Sequence, residues 1–149
     1  GGVGENALTA FMITLVIGVL IGGFLADGVK SKSLVTFGGF GAAAAIAVVI
    51  ASFSFTAFET IALIALMGLV AGLIMPSRDM LVRVVSPPAA VGRVFGIVTT
   101  GFNFGGMLGP VLGGWLVDHD MPRLIFYGSA CFMVATILIA VAVERGAKR

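Results

Sequence analysis

Few side chains in this 149-residue sequence could do chemistry, and their placement narrows the choice. Asp118, His119 and Asp120 are three consecutive groups of the kinds that ligate metals. They stand in a short polar stretch between two apolar runs, where an exposed loop is expected, so no metal site is expected there. Cys131 is the sole cysteine and lies deep in an apolar run. A lone thiol forms neither a disulfide within the chain nor a metal site, and packing is its expected role. Ser52, Ser54 and Ser129 carry nucleophilic oxygens. No partner base stands in any charge-free run, so an intramembrane enzyme is not expected and no cofactor is called for. That leaves Asp27, Lys30 and Lys32, which sit together between two long uncharged runs. They form either a specific electrostatic contact or two topology signals beside a helix-end carboxylate.

The elements that position these groups follow from composition. Only 11% of residues are charged, 59% are hydrophobic, and mean hydropathy is +1.16. A soluble domain carries roughly 25% charged residues, so this chain lacks the polar surface to cover a globule in water. It reads as a membrane protein with the lipid bilayer as its solvent. The absence of a basic stripe with interleaved aromatics argues against nucleic-acid binding. The first residue is glycine and no signal-peptide cleavage pattern follows the first run, so the chain is expected to begin inside a longer protein.

About 20 apolar helical residues cross a hydrocarbon core of about 30 Å. Five runs qualify, giving expected spans over 7–26, 34–58, 60–85, 94–117 and 124–143. The third is charge-free only to Ser77. Its helix continues through Arg78 to about Val85, with Asp79 and Arg83 four apart as an expected ion pair, and ends at Ser86-Pro87-Pro88. None of the runs alternates with period two, which favours helices over barrel strands. The fold class is therefore all-α, a polytopic bundle of five transmembrane helices. Eight of the nine basic residues fall on one side: Lys30, Lys32, Arg78, Arg83, Arg93, Arg145, Lys148 and Arg149. Arg123 alone falls on the other. The positive-inside rule makes the first side cytoplasmic, with the N-terminus outside and the C-terminus inside.

Helices in lipid associate through close backbone approach at small residues. Spacings of four recur at Gly18 and Gly22, Gly38 and Ala42, Gly68 and Gly72, and Gly105, Gly109 and Gly113, which predicts packing seams. In the fourth span Pro110 disrupts the helix locally, and the glycine stripe lies opposite Asn103, Thr99, Thr100 and Met107. An amide at mid-membrane depth is costly without a partner or water. Asn103 is thus either functional or bonded to a neighbouring helix.

These residues resemble the major facilitator superfamily of secondary transporters. Gly23-Phe24-Leu25-Ala26-Asp27, with Lys32 five residues on, resembles the family's cytoplasmic loop signature G-x-L-A-D-R-x-G-R-K, with Gly28 in place of its arginine and Lys30 in place of its glycine. Gly105, Gly109-Pro110 and Gly113-Gly114 match its G-x-x-x-G-P-x-x-G-G pattern completely. The resemblance implies twelve helices in two six-helix halves of inverted repeats. It places these five spans at helices eight to twelve, the C-terminal half, with helices two to six as the alternative register. Met75 to Asp79 and Pro122 to Phe126 look like second-half sequence, and the Arg78 to Phe104 region resembles bacterial drug-resistance-type exporters.

Further expectations rest on that likeness. Asp27 would face the positive end of a helix in the other half, a contact worth about 0.3–2 kcal/mol. With Gly23, Lys30, Lys32, Arg78, Asp79, Arg83 and Arg93 it would form a cytoplasmic latch. A substrate path at the midplane would use Thr14, Met67, Ala71, Met75, Thr99, Thr100, Asn103 and Met107, an adaptable wall suited to a lipophilic or amphiphilic small molecule moving outward. Gly105, Gly109, Pro110, Gly113 and Gly114 would serve packing and bending. Expected partners are lipid, the remainder of the same transporter, a small-molecule substrate, and protons through an acid outside this chain. The bacterial cytoplasmic (inner) membrane is the expected location. A non-transporting membrane scaffold is the alternative from a different class.

Overall fold

A computed structural model describes residues 2–28 and 32–147. Lys30, Lys148 and Arg149 lie outside the described residues, as do the side chains of Lys32 and Arg145. The described chain is all-helical: α1 Val3–Gly28, α2 Lys32–Ser52, α3 Ala57–Val85, α4 Val91–Asp118 and α5 Pro122–Ala147, with a single 3-10 turn at Pro88–Ala90 before α4. Backbone groups in lipid must be satisfied within the segment, which is why long apolar runs become helices. The shortest, α2, has 21 residues and reaches about 32 Å. All five helices are long and apolar enough to cross a membrane.

One expected boundary fails. The charge-free run 34–58 is not a single helix, because α2 ends at Ser52 and a new helix starts at Ala57. Thr56 caps α3 in a capping box. Its Oγ1 accepts from the Glu59 N–H at 3.4 Å, and the Glu59 carboxylate accepts from the Thr56 N–H at 2.8 Å. The Thr-x-x-Glu pattern is the sequence signal for this start, and a count of charge-free residues overlooks it. The far end of α3 behaves as expected, with Ser86 extended ahead of two prolines. The helices α4 and α5 begin two or three residues before their charge-free runs, since Arg93 and Arg123 do not interrupt a helix.

Packing is uneven. The tightest seam joins α1 to α3. Gly18 and Gly22 lie against the backbone of Leu69, Gly72 and Leu73, and Gly68 and Gly72 lie against Phe11, Thr14, Leu15 and Val19. A Cβ on Gly22 would come within 2.7 Å of the Leu73 carbonyl oxygen, so only glycine allows this approach. On its other side α3 meets α2, where Gly39 faces the buried Ile74. Ala44 and Ala47 of α2 then pack on Ala130 of α5, flanked by Phe126 and Met133. The order across the bundle is α1, α3, α2, α5, while α4 touches α3 and α5.

Two expected seams therefore do not close among the described residues. Gly38 faces open space and Ala42 is exposed. The contact face of α2 is rotated by one residue, onto Gly39, Ala43 and Ala47. The glycine stripe of α4 faces α5 only across an open groove of about 390 Å³, whose far wall is Leu124, Ile125 and Phe132. Nothing lies within 4 Å of a Cβ at Gly105 or Gly109, and Gly113 meets only Ile125 at 3.9 Å. No described side chain of α4 is buried.

Candidate functional site

The connections put the end of α1, the start of α2, the end of α3 and the start of α4 at one end of the bundle. Asp27 lies there in the last turns of α1, exposed, beside Pro76 and Met80 of α3 in a surface cleft of about 400 Å³. Gly23 and Phe24 line the same cleft, and a Cβ on Gly23 would meet nothing. Arg83 and Arg93 are exposed.

The ion pair expected between Asp79 and Arg83 does not form among the described residues. Asp79 is held by its neighbour Arg78, whose Nε and Nη2 donate to the same carboxylate oxygen at 3.0 and 2.8 Å. Two donors from one planar guanidinium outcompete a single contact from one turn away. The Arg78 guanidinium also stacks over the Phe102 ring of α4, 5.2 Å from its centroid. A cation–π contact of this kind is worth about 0.5–2 kcal/mol, and it ties α4 to α3. Phe102 was not singled out by sequence, because nothing in the spacing of α3 and α4 registers them against each other.

The expected path residues fall into two groups. On α3, Met67, Ala71 and Met75 are half-buried along a helix already engaged with α1 and α2. Thr14 occupies the α1–α3 seam, and its hydroxyl reaches the Ala65 carbonyl across it at 2.7 Å as well as the Ala10 and Phe11 carbonyls of its own helix. On α4, Thr99, Thr100, Asn103 and Met107 are exposed, with the Thr100 hydroxyl donating to the Gly96 carbonyl at 2.8 Å. Asn103 makes no side-chain hydrogen bond among the described residues. The structure thus leaves a mildly polar face of α4 uncovered and does not join it to the α3 methionines.

Ser77 was also overlooked. It is fully buried in α3 and its hydroxyl has no partner among the described residues. It directly follows Pro76, which removes one backbone donor inside the helix. At the opposite end of the bundle His119 stacks on Trp115 with ring centroids 4.2 Å apart, and its Nδ1 lies 2.8 Å from the Trp115 carbonyl oxygen. No group of three metal-ligating side chains converges among the described residues.

A bundle of five membrane-length helices, packed through glycine seams and almost free of charge inside, defines a polytopic integral membrane protein. A family model for the Major Facilitator Superfamily matches residues 3–148, and the chain belongs to that family. It is similar to the quinolone resistance protein NorA of Staphylococcus aureus, at 29% identity over 143 residues, which cover 89% of this chain and 34% of that relative. It is also similar to the multidrug resistance protein MdtG of Klebsiella pneumoniae, at 36% identity over 80 residues, 50% of this chain and 19% of that relative. A third relative, the MFS-type transporter YhcA of Bacillus subtilis, is 29% identical over 69 residues, 46% of this chain and 13% of that relative. The chain spans about a third or less of the length of these relatives. No solved structure matches it.

Proposed function

We propose that this chain supplies helices eight to twelve of a secondary transporter that exports a small lipophilic or amphiphilic molecule by alternating access. The observation that carries this reading is the uncovered face of α4, with Thr99, Thr100, Asn103 and Met107, in a chain whose relatives are a quinolone and a multidrug resistance protein. Methionine and hydroxyl groups without fixed charge suit ligands of varied shape. Met67 and Met75 form a separate stretch of the path on α3, which the packing of this chain does not join to the α4 face. Thr14 lies at its margin, since its hydroxyl is engaged in the α1–α3 seam.

In this reading the end that carries Asp27 faces the cytoplasm, as its basic residues require, and the N-terminus lies outside. Asp27 and Gly23, with Lys30, Lys32, Arg78, Asp79, Arg83 and Arg93, form one side of a latch whose other side belongs to the other half of the transporter. Gly105, Gly109, Pro110, Gly113 and Gly114 let α4 pack and bend against a helix outside this chain. No carboxylate stands in any charge-free run, so an acid for proton coupling would belong to the rest of the transporter. The completeness of the Gly105 to Gly114 pattern favours a second register, helices two to six, in which the same faces keep the same tasks.

The test is efflux of a fluorescent lipophilic cation from cells expressing the full-length protein. Asp27→Asn and Asn103→Ala are each expected to slow efflux at unchanged protein level. Efflux equal to wild type in Asp27→Asn removes that carboxylate from the mechanism, and the same result in Asn103→Ala removes the α4 face from the path.

A further inference from the structure

The face between α2 and α5, away from the expected latch and path residues, carries a groove of about 730 Å³. Its walls are Gly41, Ala45 and Val49 on α2 and Tyr127, Cys131 and Val134 on α5. Small residues on both helices create it, and it is apolar along its length below the Tyr127 hydroxyl. From Val49 to Gly41 it descends about 12 Å at the helical rise per residue. That is most of the depth of one leaflet in a hydrocarbon core of about 30 Å.

The mouth of the groove is polar. The Tyr127 hydroxyl lies 3.0 Å from the Ser52 hydroxyl, and Arg123 donates from Nη2 to the Ser54 hydroxyl at 3.2 Å. Arg123 is the only lysine or arginine between Arg93 and Arg145. A guanidinium has five N–H donors in a fork that matches phosphate oxygens. Here Ser54 engages one side of that fork, while the residue stays exposed and forms no ion pair among the described residues. Trp115 and Tyr127 stand at this same end of the bundle, the level that such amphipathic rings take at a membrane–water interface. Arg123, one helical turn beyond Tyr127, then falls at headgroup height.

We infer that this groove is a phospholipid site, with the lipid phosphate on Arg123 and one acyl chain lying between α2 and α5. The occupant follows from two complementarities along one helix pair: an exposed cation that keeps donors free beyond its bond to Ser54, and one turn away a hydrocarbon slot that spans most of a leaflet. Ser52, Ser54 and Tyr127 hold the two helix ends together and keep the mouth open at that height. The site needs only that the chain spans a bilayer, so it stands apart from the transport reading and from either register.

The experiment is photo-crosslinking of the full-length protein in phosphatidylethanolamine vesicles doped with a phosphatidylglycerol bearing a diazirine in one acyl chain. Crosslinks are expected to map to 41–49 and 127–134. Arg123→Gln is expected to cut their yield about fivefold, the factor one basic residue contributes at an anionic lipid surface, while Arg123→Lys retains most of it. Ala45→Phe, which fills the slot from an exposed position, is expected to abolish them. A diazirine diacylglycerol, which lacks the phosphate, should label wild type and Arg123→Gln alike. Labelling of these segments no heavier than the rest of the protein and unchanged in Arg123→Gln would mean annular lipid only, and would overturn the site. Crosslinks absent from both segments would show another polypeptide segment in the groove, with the same consequence.

Discussion

Replacing Gly72 by alanine adds one methyl group at the most crowded point of the bundle. Its Cβ would overlap the Leu15 carbonyl oxygen and stand 2.7 Å from the Val19 nitrogen and 2.9 Å from the Gly18 carbonyl carbon. These are backbone atoms of α1, so no side-chain rotation relieves the overlap. Restoring ordinary contact with the Leu15 oxygen requires α1 to retreat by about 1.2 Å along this stretch. A shift of that size also loosens Gly18 and Gly22 from Leu69 and Leu73, and lengthens the Thr14 bond to Ala65. Overpacking into a well-packed core costs about 1–3 kcal/mol, and the shared backbone contacts place Gly72→Ala in the upper part of that range. Gly38→Ala is the control, because its Cβ meets open space. Both variants, in the full-length protein in detergent, would be heated and the folded fraction followed by size exclusion. Gly72→Ala should lose several degrees of midpoint temperature while Gly38→Ala loses none. Equal midpoints for the two would refute the close seam between α1 and α3.

Two further outcomes follow from polar groups at the edges and interior of α3. Ser77→Ala removes a buried hydroxyl that has no partner, so it should leave thermal stability unchanged or raise it by about 1 kcal/mol, and a clear loss in the same melt would show that the hydroxyl is bonded in the full-length protein. Thr56→Ala breaks the capping box with Glu59 and should lower stability by about 1 kcal/mol, with Thr56→Ser restoring most of it.

Helix number, length and class were legible because the bilayer imposes them: an uncharged run of twenty residues has almost no alternative to a spanning helix. The turn between α2 and α3 was hidden by the same logic, since Phe53, Phe55 and Phe58 keep the run apolar while Thr56 and Glu59 start a new helix within it. Charge pairing was legible only in part. Spacing offers Asp79 a partner four residues on, but side-chain shape gives it to Arg78, which then reaches Phe102 on another helix. The likeness to a transporter family lay in two short motifs, and the described part of each, Gly23 to Asp27 and Gly105 to Gly114, borders an open groove.

Glycine spacing shows the limit most clearly. Gly18, Gly22, Gly68 and Gly72 share their interval of four with Gly105, Gly109 and Gly113, and sequence offers no ground for treating them differently. The first set meets backbone at contact distance, while the second borders an open groove and only Gly113 reaches a side chain, Ile125 at 3.9 Å. The interval specifies a strip of helix that another backbone can approach, and no more than that. What fills the strip depends on which helix lies beside it, a property of the whole bundle. In α1 and α3 the two strips face each other and become a rigid joint. In α4 the strip stays available, and with Asn103 on the opposite face the helix offers one side for close packing and another for polar contact. In the transport reading, a helix with two usable faces and a proline between them is gripped by a helix outside this chain, through contacts that must break and re-form.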